Sequence, residues 1–280
     1  LLLFLMALLP LAGWAAGTDV VVKPFNMTKT YGTADSEIAA ANLVYTVTNL
    51  TSGDEDKLAA LLKVKRTGSN ASENVGEWSY TFQNITSDQI TSAGFTGTYA
   101  RILIDGSATL TIEPLDISSS SSIAISGLPS GANAWTYDGA TRALPSFTVK
   151  ATVGGEEVTL VKDTDYEVKT YTELVNAGAK AITITGKGNY TGDKAFTDAF
   201  TISAKSIASN DITVTGLDSK NAQGTDYAST VLAGIKVYDT AISSTEALTS
   251  ASYTAAFSES VVKEPGKYIV TITGAGNYAG

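Results

Sequence analysis

Few side chains in this chain can carry chemistry, and several of them recur in one phrase. Residues 186–192 read Gly-Lys-Gly-Asn-Tyr-Thr-Gly, and residues 274–280 read Gly-Ala-Gly-Asn-Tyr-Ala-Gly. A glycine-rich loop with a lysine can cradle phosphate. Here Gly186, Gly188 and Gly192 follow neither the dinucleotide nor the P-loop spacing, and no helical pattern comes after them, so a turn between strands is expected. Tyr190 and Tyr278 offer faces on which a sugar could stack, but a recurring ring beside glycines is expected to close the end of a β core. Asp54-Glu55-Asp56 and the pair Asp163/Asp165 lack the full spaced oxygen set of a calcium loop and read as solvated turn carboxylates. The chain has no His and no Cys, which removes the commonest general base, the thiolate nucleophile and the Cys/His zinc sites. Carboxylates that could serve glycoside hydrolysis are scattered over small repeats, with no large cleft implied. No catalytic residue, cofactor or metal site is expected, and the chain is read as not an enzyme. Trp135, in the irregular segment Ala132-Asn-Ala-Trp-Thr-Tyr137, is the candidate ligand contact, because Trp is enriched where interfaces concentrate their energy. Trp78 lies in an alternating strand and is expected in the core. Asn-x-Ser/Thr acceptors at Asn26, Asn49, Asn70, Asn84 and Asn189 matter only in a host that glycosylates.

The elements that must position these residues are strands. The phrase recurs at a fixed offset of 88, Gly186 to Gly274, which means tandem copies of one folding unit. Ile123–Leu128 has its counterpart in Ile212–Leu217, each alternating apolar and small residues before a Gly-Leu turn. Phe147–Val153 and Val158–Val161 flank Gly154-Gly155-Glu156-Glu157 as a hairpin. Asn176-Ala-Gly178 precedes the strand 180–185, and Glu264-Pro-Gly266 holds the same turn 88 residues on. Short strands with turns at this spacing predict an all-β fold of tandem small β-sandwich domains. The leading stretch is related in plan, with a strand at 43–48, a turn and following strand over 74–80 that parallel Asn176-Ala-Gly178 and its strand, and a closing segment at 108–112. One helix is expected near 54–63, its acidic start suiting a helix N-terminus and Leu58, Leu61 and Leu62 sharing a face. That stretch is therefore expected to be β-grasp-like. Helix is expected nowhere else in the mature chain. The predicted boundaries are 1–17, 18–115, 116–205 and 206–280, joined by the serine run 118–122 and by 204–209. Short, mostly polar joints of this kind predict a monomeric, semi-extended rod.

The formal charge is -9 with a pI near 4.6 and no basic stripe, so nucleic acid is not an expected partner. Residues 1–11 form an apolar run, followed by small residues at Ala12, Gly13, Ala15, Ala16 and Gly17. This predicts a secretory signal peptide over 1–17, entered partway through its apolar region. The run is short for a membrane span and no second one follows, so no span is expected. The third copy, 206–280, is expected to lack the closing strand that 195–203 supplies in the second.

Lys29-Thr-Tyr31-Gly32-Thr-Ala-Asp35, Asn74-Val-Gly76 and the closing Leu110-Thr-Ile112 resemble the YGX-type MBG domain of bacterial surface proteins. Tyr137-Asp-Gly139, Asp165-Tyr166, Asn176-Ala-Gly178 and the phrase at 186–192 resemble the Ig-like repeats of large bacterial cell-surface proteins. The third copy departs from this pattern, with Thr225-Asp-Tyr227 and Ser252-Tyr253 in place of Tyr-Asp-Gly and Asp-Tyr. The resemblance implies a secreted or cell-surface location and a non-catalytic stalk or spacer, with no catalytic residues to carry over. Two alternatives follow from it: an adhesin whose partner is a glycan or host surface protein, or accessory repeats of a secreted polysaccharide-degrading enzyme.

Overall fold

A computed structural model describes residues 17–280 apart from 39–41, 68–72, 119–122, 221–223 and 225. The expected leader (except Gly17), most of the serine joint, Asn70 and Thr225 lie outside the described residues. The fold is all-β, with several small sheets forming sandwich-like domains and short helices between them. The chain forms two compact units. One holds the residues through Ile117 together with Ala151–Val158 and Gly186–Thr191; the other holds Ser118–Lys150, Thr159–Thr185 and Gly192–Gly280.

The leading stretch contains β1 (Thr18–Pro24), β2 (Met27–Thr30), β3 (Tyr45–Thr48), α1 (Glu55–Leu61), β4 (Val64–Arg66), β5 (Gly76–Phe82), α2 (Ser87–Ser92), β6 (Tyr99–Ile104), β7 (Ala108–Glu113) and β8 (Leu115–Asp116). One sheet has the order β3-β1-β6 and the other β2-β7-β5-β4. Val20 and Val22 from the first sheet, and Tyr80, Phe82 and Leu110 from the second, share one core with Leu58 and Leu62. The expected helix is present with Leu58 on its buried side. Glu55 and Asp56 supply the expected acidic first turn, but Asp54, expected as a solvated turn carboxylate, is not solvated and makes no side-chain cap bond. Its wholly buried carboxylate instead accepts from the amides of Thr96 and Gly97 and from the hydroxyl of Tyr99 at 2.7 Å.

Among the described residues, two further α-helices correct the expectation of a single one. At α2 the Thr86 hydroxyl accepts from the Gln89 amide and the Gln89 side chain accepts from the Thr86 amide. This is a capping box, which stabilises a helix too short for an apolar face to reveal. The other is α3 (below), which buries Val231. Trp78 also differs from expectation. It is half-buried, its indole donating to the Asn74 carbonyl at 2.9 Å, and the buried positions of β5 are Tyr80 and Phe82.

The second repeat runs through β9 (Ile123–Ser126), β10 (Trp135–Thr136), β11 (Thr148–Val153), β12 (Glu156–Leu160), β13 (Tyr166–Tyr171), β14 (Gly178–Gly186), β15 (Tyr190–Thr191), β16 (Asp193–Ser203) and β17 (Lys205–Ser206). The hairpin turn between β11 and β12 is two residues long, Gly154 and Gly155, with φ of 58° and 85°. Its order β10-β16-β14-β13 reproduces β2-β7-β5-β4. In each sheet an opening strand lies parallel to a closing strand, which lies antiparallel to the strand after an Asn-x-Gly turn. The register agrees as well: Gly76 pairs with Ile112 and Gly178 with Ile202.

The third repeat contains β18 (Ile212–Thr215), α3 (Ala228–Gly234), β19 (Lys236–Asp239), β20 (Tyr253–Phe257), β21 (Val270–Gly274) and β22 (Tyr278–Ala279). Strands β18 and β19 pair, as do β20 and β21. Ile207, Ile235, Val237 and Tyr278 form the core, and Tyr137 of the second repeat packs against it.

Candidate functional site

The recurring phrase begins as a tight turn. Gly188 and Gly276 both have φ of 61°, a left-handed conformation that costs glycine little. A Cβ on Gly186 would lie 2.6 Å from the Thr191 amide nitrogen, and one on Gly274 would lie 2.7 Å from that of Ala279. The first glycine therefore lets the chain fold back on itself and brings Asn and Tyr out of the turn side by side.

The asparagine binds the turn of the preceding copy. Asn277 Oδ1 accepts from the Ala177 amide at 2.7 Å, and its Nδ2 donates to Asn176 Oδ1 at 2.8 Å. Asn189 makes the same pair of bonds, accepting from the Val75 amide and donating to Asn74 Oδ1, both at 2.9 Å. One carboxamide thus satisfies one amide donor and one side-chain acceptor in a bidentate arrangement.

The tyrosine packs beside it. Tyr278 meets Tyr137 edge-to-face, with centroids 5.5 Å apart and planes at 76°; Tyr190 meets Tyr31 at 5.5 Å and 75°. Both Tyr190 and Tyr278 are nearly fully buried. The expectation that they close a β core holds with an addition: the partner ring of each comes from the residue just after the opening strand of the preceding copy. Tyr278 also donates to Asp239 Oδ2 at 3.0 Å; Asp239 is buried and paired with Lys205. Burial and the adjacent Asp239 carboxylate raise the Tyr278 pKa above its ordinary value.

A short parallel ladder completes each junction. The Lys205 and Ile207 amides donate to the Asn277 and Ala279 carbonyls at 2.9 and 2.8 Å, and the Leu115 and Ile117 amides donate to the Asn189 and Thr191 carbonyls, both at 2.9 Å. The joint after one copy therefore becomes a strand paired with the phrase of the next.

Acidic side chains hold the acceptor turns in shape. Glu173 accepts from the Val175 and Asn176 amides and from Asn176 Nδ2, and lies 3.5 Å from the buried Lys180. Those amide bonds, with Asn176 and Lys180, lower its pKa to about 2. Beside Asn74, Glu73 pairs with Lys29 and Arg66, which also hold Asp35.

The structure places Trp135 in β10, half-buried, edge-to-face with Phe200 at 5.5 Å and with Arg142 4.8 Å from its ring centre. Asp165 accepts from the Val161 amide and shapes the turn before β13. Among the described residues no three His, Cys, Asp or Glu side chains gather where they could hold a metal ion. Also among the described residues, no helix is long and apolar enough to cross a membrane. A cavity of about 470 Å³ lies beside the third repeat's Glu264-Pro265-Gly266 turn, bordered by Tyr227, Phe257 and Tyr268. Sequence reasoning singled out the phrase but missed its partners. The signal was present, because the Asn-x-Gly turn and an opening tyrosine accompany it twice. Compared with known proteins, the chain matches no family model, and a search of curated proteins gave no match.

Proposed function

We propose that this chain is a non-catalytic extracellular repeat region of a bacterial surface protein and acts as a stalk or spacer. The observation that carries this reading is the use made of the phrase. Its Asn and Tyr, the polar and aromatic side chains that recur in the phrase, bond to the preceding copy, with matching geometry 88 residues apart. Side chains committed to joining repeats serve continuity of the chain more than recognition of a small molecule. The resemblance to MBG and Ig-like surface repeats and the secretory leader expected over 1–17 support the same location.

The test places the full chain between a cell-surface anchor and an epitope tag. A spacer should raise antibody access to the tag relative to the anchor and tag alone. Equal access would contradict the reading, and saturable binding of the isolated chain to a glycan or host protein would replace it with the adhesin alternative.

A further inference from the structure

The third repeat carries different residues at the positions that form the acceptor side of each junction. At plus 88, Tyr137 gives way to Thr225, Asn176 to Glu264 and Ala177 to Pro265, while Gly178 persists as Gly266. Each change removes a feature used twice elsewhere. Pro265 has no amide hydrogen, so it cannot make the bond that Ala177 and Val75 give to the phrase asparagine. Thr225 has no ring to set against a tyrosine. Glu264 is longer than asparagine and charged, and the Glu173–Lys180 pair that fixes Asn176 is replaced by Val261 and Tyr268. The turn is exposed and borders the cavity described above.

We propose that an opening tyrosine and an Asn-x-Gly turn with a free middle amide form a docking code read by the Gly-x-Gly-Asn-Tyr phrase of a following repeat, and that the third repeat carries a non-accepting version. The partner this surface fits is another repeat bearing the phrase. Docking then has a direction: the leading stretch receives, the second repeat receives and docks, and the third only docks. This holds whether or not the chain serves as a spacer.

The experiment transplants the third repeat's residue into the second within the full chain. Ala177→Pro is compared with Ala177→Gly, which keeps the amide, and native amide hydrogen exchange is followed at Lys205 and Ile207. Losing the code should speed exchange there roughly tenfold, the equivalent of one to two hydrogen bonds. Leu115 and Ile117, at the other junction, should stay unchanged, as should the glycine variant throughout. Unchanged exchange at Lys205 and Ile207 in Ala177→Pro would overturn the proposal. If the proline variant unfolds, seen as lost protection at Leu115 and Ile117 as well, Tyr137→Thr carries the test. It leaves the turn untouched and has the same two outcomes.

Discussion

Asn277 donates its carboxamide to the side-chain oxygen of Asn176, 101 residues earlier, at 2.8 Å. The two residues belong to different copies of the repeat. The later copy is thereby fastened to the earlier one by a side chain whose own position depends on two glycines. Asn189 and Asn74 repeat the arrangement at 2.9 Å.

The buried tyrosine should separate ring from hydroxyl. Tyr278→Ala removes a ring from the third repeat's core and should cost about 3–5 kcal/mol. Tyr278→Phe keeps the ring but leaves Asp239 with Lys205 and the Ala241 amide as its remaining partners, and should cost about 1–2 kcal/mol. Urea denaturation of both variants checks the order; equal losses would contradict it.

The first glycine of the phrase should tolerate no side chain. Gly274→Ala places a Cβ 2.7 Å from the backbone nitrogen of Ala279, where a neighbouring side chain cannot relieve the clash by rotating. A loss of about 1–3 kcal/mol is expected, the range for overpacking. Gly266→Ala, with its nearest neighbour the Tyr268 ring at 3.9 Å, should change stability by less than about 0.5 kcal/mol. Thermal denaturation of the two variants makes the comparison.

Acid should weaken the leading stretch. Burial pushes the Asp54 carboxyl up, but the amides of Gly97 and Thr96, the Tyr99 hydroxyl and Lys57 outweigh it and hold its pKa well below the ordinary 3.8. Asp35 is shifted the same way, burial opposing and Arg66 and Lys29 prevailing. A folded pKa below the unfolded one means the unfolded chain takes up the proton first. The stabilisation is therefore complete above the ordinary carboxylate pKa and is lost as pH falls below it. Urea midpoints followed by Trp78 fluorescence should be level from pH 7 to 5 and fall below pH about 4. Asp54→Asn should be less stable at pH 7 and show a flatter acid limb; an unchanged limb would contradict the assignment.

Much of the fold was legible because alternation and turn chemistry are local. The strands containing Ala195–Ser203 and Ala108–Ile112, the helix that buries Leu58 and the presence of a glycine hairpin follow from spacing alone, though the turn is the two residues Gly154 and Gly155, with Glu156 and Glu157 in the strand and not in the expected four-residue turn. The helix at Ser87–Ser92 escaped a reading based on apolar periodicity, since none of its side chains is buried and Thr86 and Gln89 define it by capping. Trp78 was placed too deep, because alternation gives the face of a strand and not how far the core extends along it. The role of Asn189 and Asn277 was hidden for another reason. Their partners lie 115 and 101 residues earlier, so the recurring Asn-x-Gly turns can be read in the sequence while their pairing with the phrase is set by tertiary register.

The central claim is that each phrase asparagine fastens its own copy to the turn of the copy before it. The most direct measurement is native amide hydrogen exchange at Ala177 and Val75 in full-length Asn277→Ala and Asn189→Ala. The account predicts that Asn277→Ala speeds exchange roughly tenfold at Ala177 and leaves Val75 unchanged, and that Asn189→Ala does the reverse. Exchange that is unchanged at both amides, or raised equally at both in either variant, would contradict it.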